Sequence, residues 1–276
     1  MHIKQTELWV GSTAHLKIYE RHPDFEVLDP ASVAAPCDHA VRFTSLTITP
    51  AIYLARLVIR IRALGGSMHR AHVPSLSALA SPPLVTLYGQ IPRAIFVCAG
   101  LGAATLGGVS DSTVYPTRGQ VVLVQAPWVR SGVTRQVGSL DGGEGGSRTY
   151  VIPRVNGEVV LGGTREVDDW EAKPRGDTAR DILRRVREIA PEVVPGTAGR
   201  GDADGLEGIF IAHLVGLRPS RTGGIRLERE DLRIAGEQVT VIHNYGHGGA
   251  GWQSSWGTAE SAVAFLQPPG PGPARL

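Results

Sequence analysis

Cysteine is scarce: only Cys37 and Cys98 occur in 276 residues. Two thiols in a chain of this length make no disulfide framework, so a reducing compartment is the default. No apolar stretch reaches the roughly 18 residues that a membrane-spanning helix needs. The opening Met1-His2-Ile3-Lys4-Gln5-Thr6-Glu7 holds no apolar core of a secretory signal, and none is expected. Charge of one sign is also lacking. The formal net charge is +2 and no Lys/Arg-rich run occurs. Neither nucleic acid nor a membrane is therefore expected as a partner.

What is present is glycine, 35 residues, much of it clustered, within a chain that is 42% hydrophobic. A sizeable core can form, in one large domain or two packed ones. Pro50 opens a helix in which Ile52, Leu54, Leu57, Val58, Ile61 and Leu64 recur at mostly three- and four-residue spacings, and Gly65-Gly66 stops it. A strand is expected near His69–Val73. The run Ala94-Ile95-Phe96-Val97-Cys98 predicts a buried strand leading into a Gly turn, and Val121–Val124 a further strand. Gly142–Ser147 predicts a flexible loop. Tyr150–Pro153 and Glu158–Leu161 predict a hairpin. Asp177 caps a helix from Thr178 to Ile189, with Ile182, Val186 and Ile189 inward and Arg180, Arg184, Arg185 and Arg187 outward. Val239–His243 predicts a strand and Trp252–Leu266 a last helix, in which Trp252 and Trp256, four apart, are expected in the core. Alternating strands and helices define an α/β (α+β) class.

Gly246-His247-Gly248-Gly249-Ala250-Gly251 fits G-x-G-x-x-G. A dinucleotide fingerprint, however, opens a βαβ unit with an acid about 20 residues further on. Here one helix and a Pro/Gly tail follow, so that reading fails on context. The physical feature survives: a strand feeds a Gly-rich turn that opens a helix. Bare backbone and free N–H groups then face whatever sits above the turn. His243 and His247 lie two residues either side of Tyr245 without a third ligand in view, and no metal is expected.

The tail Gln267-Pro268-Pro269-Gly270-Pro271-Gly272-Pro273 would present Ala274-Arg275-Leu276. This small-basic-Leu ending is a variant of the Ser-Lys-Leu peroxisomal address read by an import receptor. The competing reading is a chance tripeptide on a cytoplasmic protein.

The stretch from Val241 through His243-Asn244-Tyr245-Gly246-His247-Gly248-Gly249-Ala250-Gly251-Trp252-Gln253 to Ala259 resembles the signature of the D-amino-acid oxidase family (D-amino-acid oxidase and D-aspartate oxidase). Other pieces resembling that family occur in its order. These are Val73-Pro74-Ser75-Leu76, Cys98-Ala99-Gly100, Arg118-Gly119-Gln120, Tyr150–Pro153, Leu161-Gly162-Gly163-Thr164, Gly216-Leu217-Arg218-Pro219 and Arg226–Glu230. The likeness covers residues 40 to 266 or so, more weakly before that.

The resemblance implies an FAD-binding α/β domain interleaved with a mixed β-sheet substrate domain. Residues 1–45 and 113–221 would be substrate-side, 46–112 and 222–266 flavin-side, and 267–276 a flexible tail. It also implies oxidative deamination of a D-amino acid to a 2-oxo acid, ammonia and hydrogen peroxide, with FAD as cofactor and oxygen as co-substrate. A second copy of the chain is an open partner. By resemblance Arg218 grips the substrate α-carboxylate, Tyr150 binds it through its hydroxyl, and the Gly249 carbonyl receives the amine. The competing readings are a strand-end surface arginine and a core tyrosine. Arg165 resembles the arginine with which the D-aspartate branch holds a side-chain carboxylate, against ion pairing with Glu166, Asp168 and Asp169. Val73, Gly248, Gly249, Ala250, Gly251, Trp252 and Gln253 would face the flavin. The family's opening strand, G-x-G-x-x-G and helix have no counterpart before Trp9. Weak or no FAD binding is the expectation, with full function on restoring that unit. Two further expectations compete: a non-catalytic remnant, and a glycine or sarcosine oxidase, against which the Arg218 and Tyr150 motifs argue.

Overall fold

The computed structural model describes residues 1–11, 16–33, 35–138, 146–194, 206 and 208–266. Its strands are β1 (His2–Val10), β2 (Glu26–Leu28), β3 (His39–Leu46), β4 (Ala94–Val97), β5 (Val114–Gln125) and β6 (Gly132–Val137). There follow β7 (Ser147–Pro153), β8 (Glu158–Gly162), β9 (Glu166–Val167), β10 (Phe210–Arg221), β11 (Arg226–Ile234) and β12 (Glu237–Tyr245). The helices are α1 (Leu16–Tyr19), α2 (Pro50–Ala63), α3 (Leu84–Tyr88), α4 (Gly176–Ile189) and α5 (Gly251–Ala264). The class is mixed α/β, as the alternation of periods predicts.

The chain forms two compact units. The first comprises Met1–Gly66, Gly119–Arg165 and Glu171–Gly216. It is built on a sheet in the order β10–β5–β8–β7–β6–β1–β3–β2. β1 runs antiparallel to β3 and parallel to β6, while β6, β7 and β8 form antiparallel neighbours. Strand alternation shows most cleanly in β6, where buried and half-buried residues alternate along its whole length. On one side, Ile182, Leu183, Val186 and Ile189 of α4 pack in one core with Val122, Val124, Val151 and Leu161. Their three- and four-residue spacing is that of a single helix stripe, and each buried side chain of this size contributes about 1.5–3 kcal/mol. Trp9, Val41 and Phe43 form a smaller cluster, with Tyr19 edge-on to Trp9. One sequence expectation fails on α4: Arg185 is not solvated but buried, 8% exposed. A second concerns α2. Its residue range is as expected, yet none of its residues is buried, and Ile52, Leu54, Ile59, Ile61 and Leu64 stand exposed.

The second unit comprises Ser67–Arg118, Glu166–Trp170 and Leu217–Leu276. Its three-stranded sheet has the order β11–β12–β4. β12 pairs antiparallel with β11 and parallel with β4. Ile95, Val97, Val239, Val241 and Tyr245 close a core with Leu76 and Val114. The two-residue β9 pairs with the start of β5, Arg118 opposite Glu166. No strand forms at His69–Val73; only Ser75 bridges, to Gly107. That run has one strong β-former, Val73, and Pro74 after it lacks an N–H for a ladder. Trp252 and Trp256 are exposed, 47% and 67%, rather than in the core, because α5 buries only Ala262.

These units divide the chain after Gly66, Arg118, Arg165, Trp170 and Gly216. The Gly142–Ser147 loop lies outside the described residues up to 145, and so does the tail with its tripeptide.

Candidate functional site

The second unit places a strand end against a glycine turn. β12 ends at Tyr245, and Gly246 turns the chain with φ of 87°. Gly248–Ala250 makes one tight turn before α5. The last residues of β10 run along this turn, bridged where Ser220 pairs with His247. A Cβ on Gly246 would lie 2.8 Å from Arg221 Cβ. On Gly248 it would lie 3.2 Å from Ser220 Oγ, and on Gly249 3.6 Å from Arg218 Cδ. Arg218, Ser220 and Arg221 thus pass close over a surface kept free of side chains. Gly246 needs its residue type twice over, for its positive φ and for this approach.

Arg218 is half-buried and donates from Nη1 to the Arg118 carbonyl at 3.3 Å. Arg118, fully buried, in turn pairs with Glu166. The Arg118-Gly119-Gln120 motif therefore supports the site arginine by a main-chain oxygen, a role its residue types do not announce. In the first unit, Gln120 belongs to a separate polar arrangement, exchanging two bonds of 2.8 Å with the main chain of Arg175.

Tyr150 belongs to the first unit. It pairs with Thr134 and Gly162 across β6, β7 and β8, and its ring covers Gly162-Gly163. A Cβ on Gly162 would fall 2.1 Å from Tyr150 Cε2, so these glycines make the space for the ring. Beneath them the buried Arg185 donates to Thr149 Oγ1 and to the Gly163 carbonyl at 3.1 Å, and Asp181 takes its Nε at 2.8 Å. Helix periodicity hid this residue, because its partners come from strands far away in sequence. Arg165 is exposed. The competing ion pairs do not form: Glu166 goes to Arg118, Asp168 accepts from Trp170 Nε1, and Arg165 has no side-chain partner among the described residues.

The β12–α5 junction carries polar groups that lack partners. Asn244 Oδ1, His247 Nε2 and His243 Nδ1 are buried without a hydrogen bond among the described residues. Buried polar atoms are normally satisfied, so each asks for water or a ligand. Burial lowers the pKa of His247, and that of His243 despite the Glu230 carboxylate 3.1 Å from its Nε2, so both rings are held towards neutrality. The N-terminus of α5 has no side-chain cap, leaving its first N–H groups available. A bare glycine surface, an uncapped helix start and orphaned buried polar atoms fit the edge of a planar, hydrogen-bonding cofactor. Val73 lines a cavity of about 580 Å³ with Leu76, Ile95, Val97, Cys98 and Thr105, apolar enough for a further ring. No group of three or more metal-ligating side chains occurs among the described residues.

Solved glycine oxidases share this fold. That from Geobacillus kaustophilus superposes with a TM-score of 0.63 at 16% identity, covering 96% of this chain and 70% of the other. That from Bacillus cereus ATCC 14579 gives 0.60 at 16%, covering 95% and 74%. Residues 5–265 match the DAO family of FAD dependent oxidoreductases, and the chain belongs to it. FAD is the cofactor of that family and oxidoreduction its chemistry, as the signature implied. A D-aspartate oxidase of Cryptococcus neoformans var. grubii is 57% identical over 96% of this chain and 73% of its own length. D-amino-acid oxidases of Fusarium vanettenii and Schizosaccharomyces pombe are 35% and 32% identical, over 88% and 95% of this chain. The chain spans 63% and 70% of the length of those two.

Proposed function

We propose that this protein serves the FAD-dependent oxidation of D-amino acids, with D-aspartate preferred. The observation that carries this reading is the approach of Arg218 to Gly249. A guanidinium beside a bare main chain offers two parallel bonds to an α-carboxylate and a carbonyl for the adjacent amine. By the family likeness, Tyr150 would add a phenol to the carboxylate. By the same likeness Arg165, a cation with no protein partner among the described residues, would take the side-chain carboxylate of an acidic substrate. The 57% identity to a D-aspartate oxidase supports that choice.

Val73, Gly248, Gly249, Ala250, Gly251, Trp252 and Gln253 would hold the cofactor, with the α5 N-terminus stabilising negative charge at its edge. Bound FAD supplies the two-electron acceptor, which oxygen regenerates with release of hydrogen peroxide. The amino acid loses two electrons and two protons across its Cα–N bond. Water then replaces nitrogen to leave a 2-oxo acid and ammonia. The residues named here bind and orient, and none is assigned as acid or base.

Turnover of D-aspartate, D-alanine and glycine, measured side by side with FAD in excess, tests the reading. D-aspartate should exceed D-alanine by roughly tenfold or more in kcat/KM, since only it pairs Arg165. Glycine as the best substrate would overturn it. We further propose that Ala274-Arg275-Leu276 directs the protein to peroxisomes through an import receptor, which suits a source of hydrogen peroxide. A fluorescent fusion should become diffuse when these residues are removed; unchanged punctate localisation would contradict this.

A further inference from the structure

Asp111 lies in the loop between β4 and β5, its side chain only 6% exposed. Its carboxylate joins three segments of the second unit. Oδ2 accepts from Arg221 Nε at 2.8 Å, at the end of β10. The same oxygen accepts from Tyr245 Oη at 2.9 Å, at the end of β12. Oδ1 accepts from the Thr113 N–H at 3.0 Å and from the Thr113 hydroxyl. The Thr113 carbonyl then receives the Thr222 N–H at 2.9 Å, so the loop holds the end of β10 by main chain as well as by charge. Arg226 Nη1 donates to Tyr245 Oη at 2.9 Å, while the Arg226 Nε is taken by Glu228 at 2.7 Å.

The position of this carboxylate matters more than its strength. Arg221 stands three residues after Arg218 on β10, and Tyr245 stands four residues before Gly249. One buried anion therefore ties down the two strand ends whose meeting forms the Arg218–Gly249 approach. Arg221 completes the clamp, its stem crossing bare Gly246 and its Nη1 reaching the Gly224 carbonyl at 3.3 Å. A displacement of about 1 Å between positioning groups lowers rates up to a hundredfold.

We propose that Asp111, acting through Arg221, is a positioning residue that sets Arg218 against Gly249 and so fixes where a substrate carboxylate and amine are held. This rests on the reading of Arg218 given above. Asp111→Asn keeps the shape and removes the charge opposite Arg221.

The test uses the full chain, with hydrogen exchange at residues 217–222 and 246–249 alongside titration with malonate, a dicarboxylate that cannot be oxidised at a Cα–N bond. In Asp111→Asn, exchange in both segments should rise roughly tenfold while β7 and β8 exchange as before, and malonate affinity should fall by roughly the same factor, the size of one charge-assisted hydrogen bond. Arg221→Lys should reproduce the exchange pattern, and Asp111→Glu should recover most of the affinity. Unchanged exchange at 217–222, or a rise shared equally by β7 and β8, would overturn the assignment. Wild-type protein that ignores malonate would refute the carboxylate role of Arg218 instead, and the exchange pattern would still decide the role of Asp111.

Discussion

Arg218 and Arg165 differ in what holds them. Arg218 is half-buried, fixed to the Arg118 carbonyl and set beside Gly249, whereas Arg165 is exposed with no protein partner among the described residues. The first suits a group common to every substrate, the second one that varies. Arg218→Lys keeps the charge but loses the planar fork, and kcat/KM for every D-amino acid should drop by about a hundredfold or more. A drop confined to D-aspartate would contradict that assignment. Arg165→Leu should instead cut the preference for D-aspartate over D-alanine to near unity, with D-alanine turnover little changed. Both arginines were singled out in the sequence by the motifs they sit in, and their substrate roles are proposals that these variants test. Asp111, Arg118 and Arg185 were not legible in this way. Their roles depend on partners brought together from distant segments, and nothing in local spacing marks a carboxylate shared by two strand ends.

Elements with their own periodicity were legible nearly to their ends. The β7–β8 hairpin, α4 and the β12–turn–α5 junction all follow from alternation, a helix stripe and glycine. What failed depended on surroundings. The spacing of α2 marks a stripe, yet burial is a property of what lies opposite, and no residue of the helix is fully buried. Trp252 and Trp256 are large and apolar, yet α5 turns them outward. The turn itself makes a sharp prediction at this scale. Gly246→Ala meets both the positive φ and a 2.8 Å contact with Arg221 Cβ, which is strand-end stem rather than a flexible tip. It should destabilise the fold by about 1–3 kcal/mol, measured by urea unfolding. An unchanged midpoint would mean that the turn relaxes freely. The same substitution at Gly257, where a Cβ meets nothing within 4 Å, serves as the control.

Across the whole chain the net charge is near zero, so the proposed binding of a dicarboxylate would fall to local cations rather than a general field. The buried His243 and half-buried His247 at the β12–α5 junction add a pH dependence. Burial depresses His243 below its ordinary value of 6.5. The stability it contributes is therefore present above that value and is lost as pH falls through the folded pKa. Unfolding free energy should decline on acidification below pH 6.5, and His243→Gln should flatten that slope. An equal slope in both proteins would assign the effect to other groups.

The family match supports the proposed oxidation of D-amino acids, and spectroscopy reads that reaction directly. The protein, saturated with FAD and kept free of oxygen, is mixed with D-aspartate or L-aspartate while the visible flavin band is followed. The expected result is loss of the band with D-aspartate alone, and return of the band when oxygen is admitted. A band that persists with D-aspartate and D-alanine alike would contradict oxidation of D-amino acids by this chain.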